Sequence, residues 1–525
     1  MSMRFLAGFI SAFYNPFKVP NAPTIGTATE GEAQATVTFA APTDIGGGAI
    51  TGYGASAFNT SNGTSISATG AASPITVTGL TNGASYTMNA WAINAFGPSA
   101  FSASSNSVIP INPYYIGILK PSSGDYILEG NIYNSVTSGG MFVVGGDTTS
   151  LGRIQKLNYD GTISFQNLIT VSGASLYYQS IANASSGSLY AAGYNSGDSP
   201  WITKFNSSGT VTWAIKATSL AYDNYGITTD ASENVYFQGK KSTSVSHTGS
   251  NRAVLWSVNS SGTNRWQTDY GTGTSSVLPG GISTYSASVF FACTWYNPSF
   301  VKQGVFVKLS QAAGALELQR LYSSSNGAAS SRFYSIAQSA STGNCYIGGE
   351  ADPVSLILKV DSAGAKQWAT TIATGRTICK VAIDSSENVY ALVPSNTTDK
   401  TLSVSKYNSS GTIQWQRNLT LPFDVSGNQS ISVTSSGQIF ISSGMVTTGS
   451  VVYPVVALLR PDGSGTGTYT VDGQTYTYAA SSYTVSTDAG TFAAASLAVA
   501  AQTRTVSSVT TISATDNLTF IETAT

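Results

Sequence analysis

One histidine, His247, and three cysteines, Cys293, Cys345 and Cys379, are all that 525 residues offer for imidazole or thiolate chemistry. A single His cannot build a His-rich metal site, and acid–base catalysis would hang on one loop residue. Each cysteine sits in or beside an apolar run (FFACTW, GNCYIGG, TICKVA). That setting fits buried free thiols, and neither a disulfide framework nor a CxxC metal site. Acidic residues are scattered singly, so no carboxylate pair of the glycosidase kind can be named. No G-x-S-x-G, H-E-x-x-H or P-loop occurs. The expectation is a non-enzymatic chain with no catalytic residue, no metal and no cofactor.

Aromatic residues are the chemistry that remains: Phe, Tyr and Trp make up 11% of the chain, and charged residues only 9%. With 24 Lys and Arg against 25 Asp and Glu, no electrostatic footprint exists for nucleic acid or an anionic membrane. A partner must be held by rings and hydrogen bonds, and binding should depend little on salt.

Four segments must position those rings. Residues 1–20 (MSMRFLAGFISAFYNPFKVP) are too short for a membrane span and lack an A-x-A-like cleavage site. Phe5, Phe9 and Phe13 recur every four residues, one face of a helix, and Phe17 continues the series. This stripe reads as a docking peptide for another protein, with a secretory signal as the alternative. Residues 21–112 alternate polar and apolar in short runs between Gly, Pro and Asn, the pattern of an all-β sandwich. Here ATVTFAAPTDIGGGAITGY and SPITVTGLTNGASYTMNAWAINAFGPSA resemble a fibronectin type III domain, with Phe39 where that family has Trp. The resemblance implies a tyrosine corner at Leu80 and Tyr86 and a spacer role.

Residues 113–480 repeat. KFNSSGTVTW, SVNSSGTNRW, KVDSAGAKQW and KYNSSGTIQW return about every fifty residues, each preceded by a relative of DASENVYFQG or DSSENVYALV. Two hairpins per unit predict four-stranded β-propeller blades. Seven are expected, and eight if the carboxy-terminal segment supplies a full inner hairpin. The hairpin around Gly124 is expected to complete a blade begun at the far end of the chain. Trp213, Trp266, Trp368 and Trp415 recur in register, so they are assigned to packing between blades, as are the repeated lysines. Asn in the Asn-Ser-Ser-Gly phrases is read as turn chemistry, not as a glycan acceptor. The phrasing resembles the SBBP-type propeller repeats of bacterial surface proteins and phage structural proteins. Residues 481–525 form a Thr/Ser/Ala-rich tail, expected to close the propeller or to associate with copies of itself.

Taken together these phrases resemble phage virion proteins of the tail-fibre or adhesin type. The resemblance implies a multicopy protein on the particle surface, bound to other virion proteins through its amino terminus and displaying the propeller to a host glycan or receptor. The alternatives are a bacterial secreted or cell-surface adhesin and, third, a glycan-active propeller enzyme. Rings that precede innermost strands or follow second strands should gather on one propeller face: Tyr177, Tyr178, Tyr194, Tyr222, Tyr225, Trp295, Tyr296, Phe333 and Tyr334.

Overall fold

A computed structural model describes residues 17–82, 84–110, 115–121, 133–137, 140–146, 152–158, 163–169, 176–195, 200–217, 222–241, 251–270, 276–297, 299, 301–323, 330–373, 379–393, 400–434, 437–446, 452–471, 473–481, 483–488, 491–494, 499–501, 506–508 and 518–522. Among these residues every regular element is a β-strand. The chain forms two compact units, Met1–Pro113 and Tyr114–Thr525.

In the first unit a three-stranded sheet (Thr24–Gly31, Gln34–Ala40, Ile75–Thr78) faces a four-stranded one (Ser65–Gly70, Ile50–Asn59, Tyr86–Asn94, Gly97–Pro98). Alternation drives the packing: along Tyr86–Asn94 every second residue is buried, and Met88 and Ala90 meet Val37, Phe39 and Val77 in one core. The Thr81 amide donates to the Tyr86 hydroxyl at 3.0 Å, and Leu80 and Tyr86 are both buried. Phe17 departs from the expected docking stripe. It stacks on Phe96 with ring centroids 5.1 Å apart, because the next residue is tied down. The Lys18 amide donates to the Gly46 carbonyl at 2.9 Å, and Asn94 Nδ2 donates to the Lys18 carbonyl at 2.9 Å. Phe5, Phe9 and Phe13 lie outside the described residues.

The second unit contains, among the described residues, seven sheets built in chain order. Their innermost strands are Tyr133–Thr137, Leu176–Asn183, Tyr222–Thr229, Ser276–Tyr285, Ser331–Gln338, Lys380–Ile383 and Asp424–Val433; these define sheets 1 to 7. Each packs against the next, and the strand of sheet 7 returns against that of sheet 1, so the ring is closed around a central axis. Within each sheet the strands run outward as antiparallel hairpins. This is a propeller arrangement. Sheet 7 takes its fourth strand from the start of the unit, where Tyr115–Pro121 pairs with Val452–Leu459.

The repeated phrases explain both the turns and the contacts between sheets. In Asn-Ser-Ser-Gly, Asn206 Oδ1 accepts from the amides of Ser208 and Thr210 at 3.1 and 2.9 Å, and Asn259 and Asn408 repeat the arrangement. The turn then serves the preceding sheet. Trp213, Trp368 and Trp415 Nε1 donate to the carbonyls of Ser260, Ser409 and Pro461 in the next sheet's turn, at 3.0, 3.0 and 3.1 Å. Lys204, Lys359 and Lys406 reach the same carbonyls after crossing the rings of Tyr190, Tyr346 and Tyr390 at 5.2, 5.1 and 5.1 Å. Gly411 shows why the turn needs glycine. Its φ is +84°, and a Cβ there would sit 2.9 Å from the Trp368 ring. Gly411→Ala is therefore expected to cost about 2 kcal/mol or more. A lowered urea midpoint would show it, whereas an unchanged midpoint would mean the indole moves aside freely.

The tail runs backwards around the ring, adding one outer strand to successive sheets. Gln474–Ala480 pairs with sheet 6, Thr484–Thr487 with sheet 5, Thr491–Ala494 with sheet 4, Val499–Ala501 with sheet 3 and Val506–Ser508 with sheet 2. Leu518–Glu522 then covers Tyr115–Pro121 of sheet 7. The register is the same each time. Tyr478, Val485, Phe492, Val499 and Val506 oppose Leu419, Ile372, Tyr322, Tyr270 and Ala217. These tail residues fall every seventh position inside a repeated phrase, Thr-Tyr-Ala-Ala, Thr-Val-Ser-Thr, Thr-Phe-Ala-Ala, Ala-Val-Ala-Ala and Thr-Val-Ser-Ser. Seven extended residues span about 23 Å, enough to step from one sheet's outer edge to the next. Tyr483 fastens the first step: its amide donates to Gln416 Oε1 at 2.7 Å and its hydroxyl to Asn418 Oδ1 at 3.1 Å.

Candidate functional site

The axis of the ring holds a cavity of about 200 Å3. Its wall is one register position repeated. Ile181, Ile227, Ile282, Ile336, Val381 and Ile431 come from sheets 2 to 7, each preceded by the residue that faces the cavity beside it. In five sheets that residue is small: Ser180, Gly226, Gly281, Ser335 and Ser430. Sheet 6 places Lys380 there. In those five sheets a β-bulge falls just ahead of this position and re-aims the residues before it.

Those re-aimed residues form a rim where innermost strands begin and second strands end. On sheets 4 and 5 the rim gathers Tyr296 from the end of Ser288–Tyr296, Arg332 and Tyr334 from the start of Ser331–Gln338, and Glu350 from Cys345–Ala351. Arg332 Nε lies 2.9 Å from Glu350 Oε1, and the Tyr334 hydroxyl donates to Glu350 Oε2 at 3.0 Å. Arg332 Nη1 donates to the Tyr334 hydroxyl at 3.3 Å, and Tyr296 lies within electrostatic reach of the guanidinium. Burial first, and Glu350 second, push the Tyr334 phenol up, so it remains a neutral donor. Trp295 and Tyr296 are half-buried, and the indole nitrogen of Trp295 is buried without a hydrogen-bond partner. Sheet 4 fixes the start of the sheet 5 strand, since the Gly304 amide donates to Ser331 Oγ at 3.0 Å and Ser331 Oγ donates to the Tyr322 carbonyl at 3.2 Å. Tyr334 also lines the cavity, so rim and cavity are continuous.

The nine expected face residues divide. Tyr296 and Tyr334 flank Arg332 on the rim, whereas Trp295 turns to the other side of its strand and packs, half-buried, against the core between sheets 3 and 4. Tyr177 and Tyr194 form a half-buried stack on sheet 2, with centroids 5.3 Å apart. Tyr178 and Phe333 are not face residues: each is 1% exposed and belongs to a core between sheets, Tyr178 donating to Thr203 Oγ1 at 2.7 Å. Consecutive strand residues point to opposite sides, so Tyr177–Tyr178 and Phe333–Tyr334 can each present only one ring to the rim. Tyr222 and Tyr225 lie on the innermost strand of sheet 3, with side chains outside the described set, as is His247. All three cysteines are buried, and burial pushes each thiol up.

Sequence reasoning passed over Arg332, Glu350 and Lys380. The signal available was a charge inside an apolar strand run. For Lys380 it was sharper, a lysine where the aligned repeats carry Ser or Gly.

No family model matches the chain, and no curated protein matches it in sequence. Solved structures similar to it include an ulvan lyase from a polysaccharide lyase family, solved with a bound saccharide (9% identity, 66% of this chain and 96% of that one, TM-score 0.40). The Dos1 propeller is similar at 12% identity over 65% of this chain and 95% of that one, with TM-score 0.35. The titin kinase with its flanking domains is similar at 17% identity over 27% of this chain, with TM-score 0.18. The chain spans about a third of the length of the titin structure and of a twitchin kinase region from C. elegans. No residue role passes from any of them to this chain.

Proposed function

We propose that the chain is a non-catalytic phage virion structural protein of the tail-fibre or adsorption type. A fibronectin type III-like spacer carries a seven-bladed propeller, and the propeller rim holds a host surface glycan. The rim cluster carries the glycan reading. Tyr296 and Tyr334 supply amphipathic rings that suit the apolar faces of a sugar, and Arg332 lies between them with donors for its hydroxyls. Both carboxylate oxygens of Glu350 are engaged by Arg332 and Tyr334, which suits a positioning group better than a proton donor. The spacer reading is supported by the three-plus-four sandwich and the Tyr86–Thr81 bond. The blade count is supported by the closed ring of seven sheets completed by Tyr115–Pro121. Docking through the amino terminus rests on the aromatic series Phe5, Phe9 and Phe13 in the sequence. Placement on a virion rests on the resemblance in sequence phrasing.

Binding of the purified chain to host cells or their extracted polysaccharide tests the rim. Tyr296→Ala and Tyr334→Phe are each expected to weaken binding about tenfold or more, with thermal midpoints close to wild type. If both variants bind as tightly as the parent, the rim is not the site. Release of reducing ends or unsaturated sugars by the purified protein would replace this reading with a glycan-active enzyme.

A further inference from the structure

We propose that the outward face of the first unit's four-stranded sheet binds a neutral oligosaccharide, with Trp91 and Phe101 as its anchors. The proposal goes beyond the spacer role of this unit and does not rest on the propeller rim. Alternation along Tyr86–Asn94 buries one row of side chains and turns Thr87, Asn89, Trp91 and Ile93 to the other face. The core between the sheets takes the buried row, Met88 and Ala90 among it, and includes neither Trp91 nor Phe101. Across the ladder Trp91 meets Gly54, where a Cβ would come within 2.0 Å of the indole. Glycine weakens a strand interior, so its presence here serves the position of the ring that lies over it. Phe101 stands at 90° to that indole with ring centroids 5.3 Å apart, and it is 63% exposed. A Ser-x-x-Ser-x-x-Ser phrase fixes its backbone. The amides of Ala92, Ala90 and Met88 donate to the hydroxyls of Ser99, Ser102 and Ser105 at 3.0, 2.9 and 3.0 Å. The three serine amides donate back to the carbonyls of Ala92, Ala90 and Met88 at 2.8 Å. Two of these ties bracket Phe101, so little ordering is left for a ligand to impose.

The groups beside the rings select the ligand. The four strands of this sheet and residues 97–108 contain no Asp, Glu, Lys, Arg or His, so an ion finds no countercharge on the face. Asn89 lies two residues from Trp91 on the same face. Its Nδ2 donates to the Ser102 carbonyl and to Ser104 Oγ at 2.9 and 3.4 Å, which leaves Oδ1 without a donor among the described residues. Ser67 and Thr69, opposite Ser56 and Gly54, are exposed, and their hydroxyls bond to none of the described side chains or carbonyls. A pyranose has apolar C–H faces for the two rings and hydroxyls for Asn89, Ser67 and Thr69. Phe58 is 41% exposed on the same face, four residues or about 13 Å along the strand from Gly54. Several linked sugar rings would reach it, and a single sugar would not. A protein partner suits the face less well. A stable interface buries roughly 800 Å2 on each side around an apolar centre, whereas here Ser56 and Asn89 separate Phe58 from Trp91.

Calorimetric titration of the full chain with cellohexaose, maltohexaose and mannohexaose tests this, with hexagalacturonate as the charged counterpart. At least one neutral hexasaccharide is expected to bind saturably and about tenfold or more tighter than hexagalacturonate. Its affinity should not change between about 50 and 500 mM salt. Phe101→Ala is expected to weaken that binding about tenfold or more and, because the ring is exposed, to keep the thermal midpoint. Phe96→Ala removes another exposed ring of the same unit, one stacked on Phe17, and is expected to bind as the parent does. Binding of none of the three, hexagalacturonate bound as tightly, equal loss in Phe96→Ala, or unchanged binding by Phe101→Ala would each overturn the proposal. So would a dimer in the ultracentrifuge that Phe101→Ala dissociates, since the face would then belong to a second copy. Loss of the hexasaccharide in Tyr296→Ala with Phe101→Ala unmoved sinks this face and keeps the rim. The reverse pattern keeps this face whatever becomes of the rim.

Discussion

Deleting residues 482–525 is expected to lower the thermal midpoint of the propeller by roughly 10 °C and to make the protein self-associate. The deletion strips the outermost strand from sheets 2, 3, 4 and 5 and uncovers Tyr115–Pro121 on sheet 7. Each tail strand contributes three to five paired residues, worth about 1–2 kcal/mol net after the cost of ordering them. Five such strands give about 5–10 kcal/mol. A domain of some four hundred residues loses about 1 °C per 0.8 kcal/mol. The change in solution behaviour should be larger than the change in stability. A chain with 9% charged residues has few gatekeepers, and five newly open edges are templates for strand pairing between molecules. Calorimetry with light scattering reads both. A truncated protein that stays monomeric with an unchanged midpoint would mean that the tail is ornament and that the inner four strands hold the ring alone.

Because the tail strands oppose the sheets in one register, their sequence period must equal the interval between sheets, and this was open to inspection in the sequence. Tyr478, Val485, Phe492, Val499 and Val506 mark it at every seventh residue. It is overlooked when the segment is read by composition, since Thr, Ser, Ala and Val in any order suggest the same vague β-structure. The fifty-residue repeat was legible for the opposite reason. Its turns are fixed by Asn206, Asn259 and Asn408, whose side chains accept two backbone amides each, and such turn chemistry is local enough to survive in sequence. The site was half legible. Position relative to the strand ends brought Tyr296 and Tyr334 to one rim. Parity sent Phe333 and Tyr178 to the core, and a one-residue register error is enough to confuse the two. Arg332, Glu350 and Lys380 could only be found by treating the sister repeats as controls for one another.

The same comparison exposes an ionic latch at a strained turn. In the inner hairpins of sheets 2, 5 and 7 the left-handed turn position is Gly187, Gly343 and Gly437, whereas sheets 3 and 6 place Glu233 and Glu387 there, at φ +59° and +58°. A glutamate pays about 1 kcal/mol for that conformation, so its side chain must return more. Glu387 does so across the gap between sheets. Its Oε2 accepts from the Tyr346 hydroxyl at 2.6 Å, Asn344 Nδ2 at 3.2 Å and Lys359 Nζ at 3.1 Å, and its Oε1 accepts from the Thr342 hydroxyl. Glu233 repeats the core of this, with the Tyr190 hydroxyl at 2.9 Å and Lys204 at 3.0 Å.

Burial alone would raise the Glu387 carboxyl, but hydrogen bonds from Thr342, Tyr346, Ser339 and Lys359 outweigh it and hold the group at about 2, against an ordinary 4.5. The folded value lies below the unfolded one, so the carboxylate's stabilisation is complete above pH 4.5 and is lost as pH falls towards 2. Its size is at most about 3 kcal/mol, or about 3–4 °C in a unit of this length. Glu387→Gln keeps the shape and removes the charge. It is expected to melt about 3 °C below the parent at pH 7 and within about 1 °C of it at pH 2.5. Glu387→Gly removes the latch but relaxes the turn, so at pH 7 it should fall between the other two if backbone strain is real. A constant gap between Glu387→Gln and the parent from pH 7 to 2.5 would mean that the loss comes from altered packing around Tyr346 and that the charge on Glu387 contributes nothing.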